Sequence, residues 1–331
     1  LIDLHPWADM VRFARTGGEA NAMAVRIARA ASGKDKIAFC GYHGWHDWYL
    51  AANLGDEKNL AGHLLPGLEP NGVPKDLRGT VIPFTYNHID ELEAIIRDHD
   101  IGVIKMEVSR NQPPKEGFLE KVRALATEKN IVLVFDECTS GFRQTLGGLH
   151  KLYGVEPDMA VFGKALGNGY AITAVIGKRN VMEAAQSTFI SSTFWTERIG
   201  PVAGLKTLEI MEREDLLTRV QQLAPSLESA MRRLEENPWV IDVRGRGFLW
   251  AVEIAANRAT KEPFPEAAGI TFKVLENTVK RGVFTYFGGT GEVRDVVIVA
   301  PPFIVGEAEF TQIADALDEA IREVCGAQRG A

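Results

Sequence analysis

Through the first two thirds of the chain, short apolar runs alternate with stretches whose apolar positions recur at helical spacing. Met10 to Phe13 is such a run, and after a turn Ala20, Met23, Ala24, Ile27, Ala28 and Ala31 fall on one face of a helix. Ile37–Cys40, Val81–Phe84, Val103–Val108, Ile131–Glu137, Met159–Phe162 and Ala174–Lys178 read as strands. Between them Ile89, Leu92, Ile95 and Ile96, and then Leu119, Val122, Leu125 and Ala126, mark two further helices. This alternation predicts an α/β fold, a mainly parallel sheet covered by helices. Residues 51–80, polar and rich in Gly and Pro, read as a long irregular connection of the kind that walls an active site.

From Leu205 a helical pattern (Leu208, Ile210, Met211) runs towards residue 236. Beyond it the texture changes. VIDVRGRGFLWAVEI and VVIVAPPFIV read as strands, and residues 266–281 and 307–324 as helices, of a smaller α+β domain. The boundary is placed near residue 217, giving a large domain over 1–217 and a small C-terminal domain over 218–331. The opening LIDLHPWADM lacks an initiator methionine and reads as the inside of an amphipathic helix. The expectation is therefore that a preceding segment holds part of the site.

Bulk properties narrow the class. With 331 residues and 46% hydrophobic composition, the chain can bury a large core. Its formal net charge is −7 and it has no Lys/Arg-rich run, which argues against a nucleic-acid partner. No apolar stretch is long enough to span a bilayer. Cys40, Cys138 and Cys325 are far apart and show no CxxC spacing. This fits a reducing, cytoplasmic compartment and excludes a disulfide scaffold or a cysteine-rich metal site.

Candidate chemistry gathers where strands end. MAVFGKALGNGY delivers Lys164 from an apolar run into a segment containing Gly163, Ala165, Gly167 and Gly169, leaving room for a flat ligand. A lysine at the end of a buried strand is costly unless it is neutralised, paired or chemically used. IVLVFDE brings Asp136 to the same sheet edge. An amine and a carboxylate so placed are the groups a pyridoxal phosphate site needs: one forms the Schiff base, the other keeps the pyridine nitrogen protonated. Thr16, Gly17 and Gly18 open a helix, which either binds a phosphate on free N–H groups or simply caps. For GYHGWHDWY three readings stand: His43, His46 and Asp47 as metal ligands, ordinary core residues, or an aromatic lid in which Tyr42 stacks on a planar cofactor that His43 holds. A P-loop is excluded, since Lys34, Lys164 and Lys178, each after a glycine, are followed by Asp, Ala and Arg. A dinucleotide fingerprint fails at its last glycine in both GNGYAI and GRGFLW.

RTGGEAN, GYHGWHD, VLVFDECTSGFR and FGKALGNGY, in that order, make the chain resemble class III (ω-type) aminotransferases of the fold type I pyridoxal phosphate enzymes from about residue 10 to 325. The resemblance implies that Lys164 is the Schiff-base lysine and Asp136 the pyridinium partner. It further implies that Tyr42 stacks on the ring and that Thr16, Gly17 and Gly18 bind the phosphate. Thr193 would reach the phosphate of a neighbouring subunit, hence a homodimer with shared active sites. Glu107 would lie behind the ring, and Thr139 against the ring oxygen. The implied reaction moves an amino group from an amine or amino acid to a keto acid or aldehyde. Arg294 is the candidate for a substrate carboxylate, with an exposed loop arginine as the plain alternative.

The chain also departs from the pattern. Gly18 stands where the family usually has threonine, Thr139 where it has glutamine or methionine, and Val108 where it has proline. Glu197 and Arg198 replace small or apolar residues. The rival within the family is glutamate-1-semialdehyde aminomutase, an intramolecular transfer. Its run of the type SQFEAGF is missing, and APPFIV resembles intermolecular enzymes instead. A member of the fold that has lost activity is the other alternative, against which the retained Lys164 and Asp136 stand.

Overall fold

The strand–turn–helix read near the start forms β1 (Met10–Ala14) and α1 (Gly17–Ser32). Thr16 caps α1 by accepting from the Glu19 N–H at 3.2 Å. Gly33, at φ 66°, ends it by turning left-handed and returning its N–H to the Arg29 carbonyl. In between, Met23, Val25 and Ile27 are buried; each contributes roughly 1.5–3 kcal/mol by leaving water.

The computed structural model describes residues 1–63, 69–109, 112–290 and 293–328, so residues 64–68 of the expected irregular connection lie outside the described ones. The chain divides into two compact units, Leu1–Arg213 and Glu214–Ala331. In the first, β2 (Lys36–Cys40), α2 (Asp47–Leu50), β3 (Val81–Pro83), α3 (Ile89–Asp98), β4 (Ile101–Glu107) and α4 (Phe118–Glu128) follow α1. Next come β5 (Val132–Glu137), β6 (Met159–Phe162), β7 (Thr173–Gly177), α5 (Arg179–Met182) and α6 (Ile199–Arg213). The sheet order is β1-β7-β6-β5-β4-β2-β3. β7 alone runs against the others, being antiparallel to both β6 and β1. Its direction follows from the connection: Gly163 to Ile172 is too short for the helical crossover that parallel strands need. Helix α1 covers one face, with Phe39, Val103, Val134 and Val161 beneath it. Phe118, Leu119, Val122 and Leu92 cover the other over Ile104, Leu133 and Phe135.

Two expectations fail here. Leu1–Asp9 is a chain of turns, not a helix interior: His5 N–H bonds to the Ile2 carbonyl and Ala8 N–H to that of His5, each at 2.9 Å. Its side chains are spoken for. His5 Nε2 accepts from Gly148 N–H at 2.9 Å, and Trp7 Nε1 donates to His150 Nε2 at 2.9 Å. His150 Nδ1 in turn donates at 2.7 Å to the fully buried Glu137, which also accepts from the Leu149 and His150 N–H groups. Second, the helical run from Leu205 does not continue to 236. It breaks at Asp215, whose φ of 46° is left-handed, and resumes as α7 (Leu216–Arg232) in the second unit.

The second unit adds β8 (Val240–Arg246), β9 (Leu249–Ile254), α8 (Ile270–Lys280), β10 (Tyr286–Gly288), β11 (Val296–Val299) and α9 (Glu307–Ala327). Its antiparallel sheet has the order β10-β11-β9-β8 and packs Trp250, Val252 and Val297 against Leu227, Val274, Phe310 and Leu317. The α/β class with a smaller α+β unit is the fold observed.

Candidate active site

The carboxyl ends of β1, β2, β4, β5 and β6 bring together most of the residues singled out above, as parallel sheets do with ligand-binding groups. Asp136, near the end of β5, is the hub. It is 4% exposed and accepts from His43 Nδ1 and Asn21 Nδ2, each at 2.8 Å, and from Cys138 N–H at 3.0 Å. Burial alone would push this carboxyl up. The charge of Lys105, the His43 bond and the Cys138 N–H together outweigh it and hold Asp136 well below the usual carboxylate range.

His43 corrects one expectation. It is fully buried, and its ring lies behind Asp136, with Nε2 3.2 Å from the Cys40 carbonyl and its plane stacked on Trp48. Enclosed in this way, the ring bonds the acid from behind and offers no exposed face to a ligand. Because the ionised carboxylate only accepts, Nδ1 carries the proton. Burial pushes the imidazole down, against the pull of Asp136. The metal reading of this loop fares no better: His46 turns away to pack over Gly18, where a Cβ would come within 2.7 Å of its ring. Among the described residues no group of three His, Cys, Asp or Glu side chains can hold a metal ion.

Lys164 corrects another. It sits at φ 43° on a tight turn just past β6 and is exposed, because the glycines around it have no side chains to cover it. Its Nζ donates to Thr139 Oγ1 at 2.8 Å. Asp136 pairs in register with Val161, three residues before Lys164, so amine and acid stand at the ends of adjacent strands. Tyr42 is partly exposed, and its N–H donates to Glu107 Oε2 at 3.1 Å. Gly41 makes that contact feasible: at φ 112° it adopts a backbone that side chains avoid, and a Cβ would lie 2.5 Å from the same oxygen.

Thr16 uses its hydroxyl as the α1 cap, leaving the backbone of Gly17 and Gly18 in the first helical turn. Thr193 is exposed on a turn beside β1, where Trp195 Nε1 donates to the Phe13 carbonyl at 2.7 Å. It lines a cavity of about 300 Å³ with Arg15, Ser192, Phe194 and Glu197. Glu197 has a local role, accepting from the Ile199 and Gly200 N–H groups at the start of α6. Arg294 belongs to the second unit; its guanidinium donates to the Phe264 carbonyl at 3.4 Å and lies 3.9 Å from Glu266.

Sequence reasoning missed Asn21 and Lys105. Both carried a signal: Asn21 is polar on the apolar face of α1, and Lys105 is a charge inside an otherwise apolar strand.

Residues 1–321 match the family model "Aminotransferase class-III", and the chain belongs to that family. It is 41% identical over 259 residues to a 3-aminobutyryl-CoA aminotransferase of Cloacimonas acidaminovorans, spanning 76% of this chain and 58% of the relative. It is 36% identical over 246 residues to a glutamate-1-semialdehyde 2,1-aminomutase of Methanothrix thermoacetophila, spanning 72% of this chain and 56% of that one. The chain thus spans somewhat over half the length of these curated relatives. In fold it is similar to an aminotransferase of Vibrio fluvialis in its PMP-bound form, with TM-score 0.80 and 22% identity over 98% of this chain and 77% of that one.

Proposed function

We propose that this site performs pyridoxal phosphate-dependent amino transfer between an amino donor and a keto acid or aldehyde. The observation that carries the reading is the pair Lys164 and Asp136 at the ends of adjacent strands, the acid held ionised in a buried setting. The residues suit the cofactor. Asp136 would hold a proton on the pyridine nitrogen, and Gly17 and Gly18 at the start of α1 would bind the phosphate on backbone N–H groups. Tyr42 would stack on the ring, with Glu107 fixing the loop that carries it. When bound, pyridoxal phosphate supplies an electron sink for the carbon that gives up the amino group. Lys164 Nζ would take the proton from that carbon and return it, and Thr139 would orient the amine between transfers. His43 and Asn21 keep Asp136 aimed and charged.

Arg294 remains the proposed carboxylate partner for substrate. The relatives named as aminomutases favour a second reading, transfer within one molecule. A homodimer is supported by the α6 surface, where Ile199, Val202 and Leu205 are 68%, 61% and 69% exposed in a stripe suited to a second copy. Cytoplasmic residence agrees with three free cysteine thiols. Among the described residues, no helix is long and apolar enough to cross a membrane.

The test is to add pyridoxal phosphate to the purified chain and record the visible spectrum before and after borohydride. We expect a band that borohydride abolishes, absent in Lys164→Ala. Persistence of that band in the variant would remove Lys164 from its role. Product formation that requires an added keto acid favours transamination; product without one favours the mutase.

A further inference from the structure

Strand β4 carries a lysine whose pull on Asp136 was noted above but whose place in the site was not. Every residue of Ile101–Glu107 is buried, and Lys105, near its middle, is fully so. Residues two apart on a strand share a face, so Lys105 stands beside Glu107, beneath α1. Glu107 in turn pairs in register with Asp136. Among the described residues the Lys105 Nζ has no hydrogen-bond partner. A lysine in such a place is expensive unless neighbouring charge compensates it.

The groups facing it are few. Glu107 shares its strand, and Asp136 and Cys138 come from β5 and the residues just after it. His43, from the loop after β2, and the neutral Asn21 of α1 touch Asp136. Burial pushes the Lys105 amine down, while Asp136, Cys138 and Glu107 pull it back up.

We propose that Lys105 is a positioning residue of the site, a fully buried amine on the same face of β4 as Glu107 and next to the strand that carries Asp136, whose pull keeps that acid in place. The inference rests on the reading of Asp136 as the acid beneath a protonated ring nitrogen. By drawing on Asp136, Lys105 also weakens the acid's hold on that proton and so moderates the electron demand of the ring.

A double-mutant cycle on the full chain without cofactor, followed by urea denaturation, tests the first half. Lys105→Met should cost at least tenfold more in the folding equilibrium when Asp136 is present than in the Asp136→Asn background. Additive effects would overturn the proposal; Lys105→Gln takes the place of Lys105→Met should the latter fail to fold. The second half is read spectroscopically with pyridoxal phosphate added. Removing the ammonium should raise the pH midpoint of the visible band by about one unit, and an unmoved midpoint overturns the proposal. If the wild-type chain gave no such band, the broader cofactor reading would fall, and the cofactor-free cycle alone would decide the role of Lys105.

Discussion

Replacing His43 with Phe tests how the site's central acid is held. The substitution keeps an aromatic ring in a fully buried place, so the stacking on Trp48 and the edge contacts with Phe39 and Tyr49 survive in kind. What it removes is one donor at 2.8 Å from an ionised carboxylate. A hydrogen bond to a charged group contributes about 1.5–3 kcal/mol net. Asn21 and the Cys138 N–H still bond Asp136, so the loss belongs near 2 kcal/mol, roughly thirtyfold in the folding equilibrium. Urea denaturation at pH 7.5 or so measures it, with Asp136→Asn as the control background in which the same change should cost much less. The pH course is fixed in sign. Burial lowers the folded His43, so its contribution is full above the unfolded value of about 6.5 and declines as the pH falls below it. An equal loss in both backgrounds would refute the view that His43 acts through Asp136, and its role would then be packing alone.

Two other outcomes are expected. His5, fully buried, is lowered by burial from 6.5 to about 4. Unfolding therefore takes up a proton between those values, and the chain should lose roughly 3 kcal/mol of stability as the pH falls from about 7 to 4. His5→Asn should flatten that part of the pH–stability curve, as chemical denaturation at stepped pH will report. Gly18→Thr, which restores the residue usual in the family, meets the His46 ring at 2.7 Å. It should cost on the order of 1–3 kcal/mol by overpacking, and pairing it with His46→Ala should recover most of that loss in a thermal melt.

Much of the first unit was legible because helical and strand periods alternate cleanly from Met10 to Gly177. The reversal of β7 was not, since Thr173–Gly177 reads like its buried parallel neighbours; only the short link before it betrays the direction. In the second unit β10 escaped notice because three residues, Tyr286–Gly288, are too few to establish a period. At the site, residue types were readable and orientations were not. His43 and Tyr42 are adjacent, yet one is sealed behind Asp136 and the other faces outward. Lys164 was expected to be buried because the strand before it is; the turn that lifts it out depends on a left-handed backbone that composition alone does not announce. Lys105 was passed over inside an apolar strand because the pattern around it spoke so plainly for structure.

Asp136 and Glu137 are consecutive, and the pleat of β5 sends them to opposite sides of the sheet. One meets α1 and the loop after β2, the other His150 and, through it, Trp7. The strand is thus pinned like a board nailed from above and below, unable to slide by a single residue without burying the wrong acid on each side. Anyone reshaping the carboxyl-end rim of the sheet by selection should therefore watch residues remote from it: a change at Trp7 or His150 would loosen the far nail and let the near one wander.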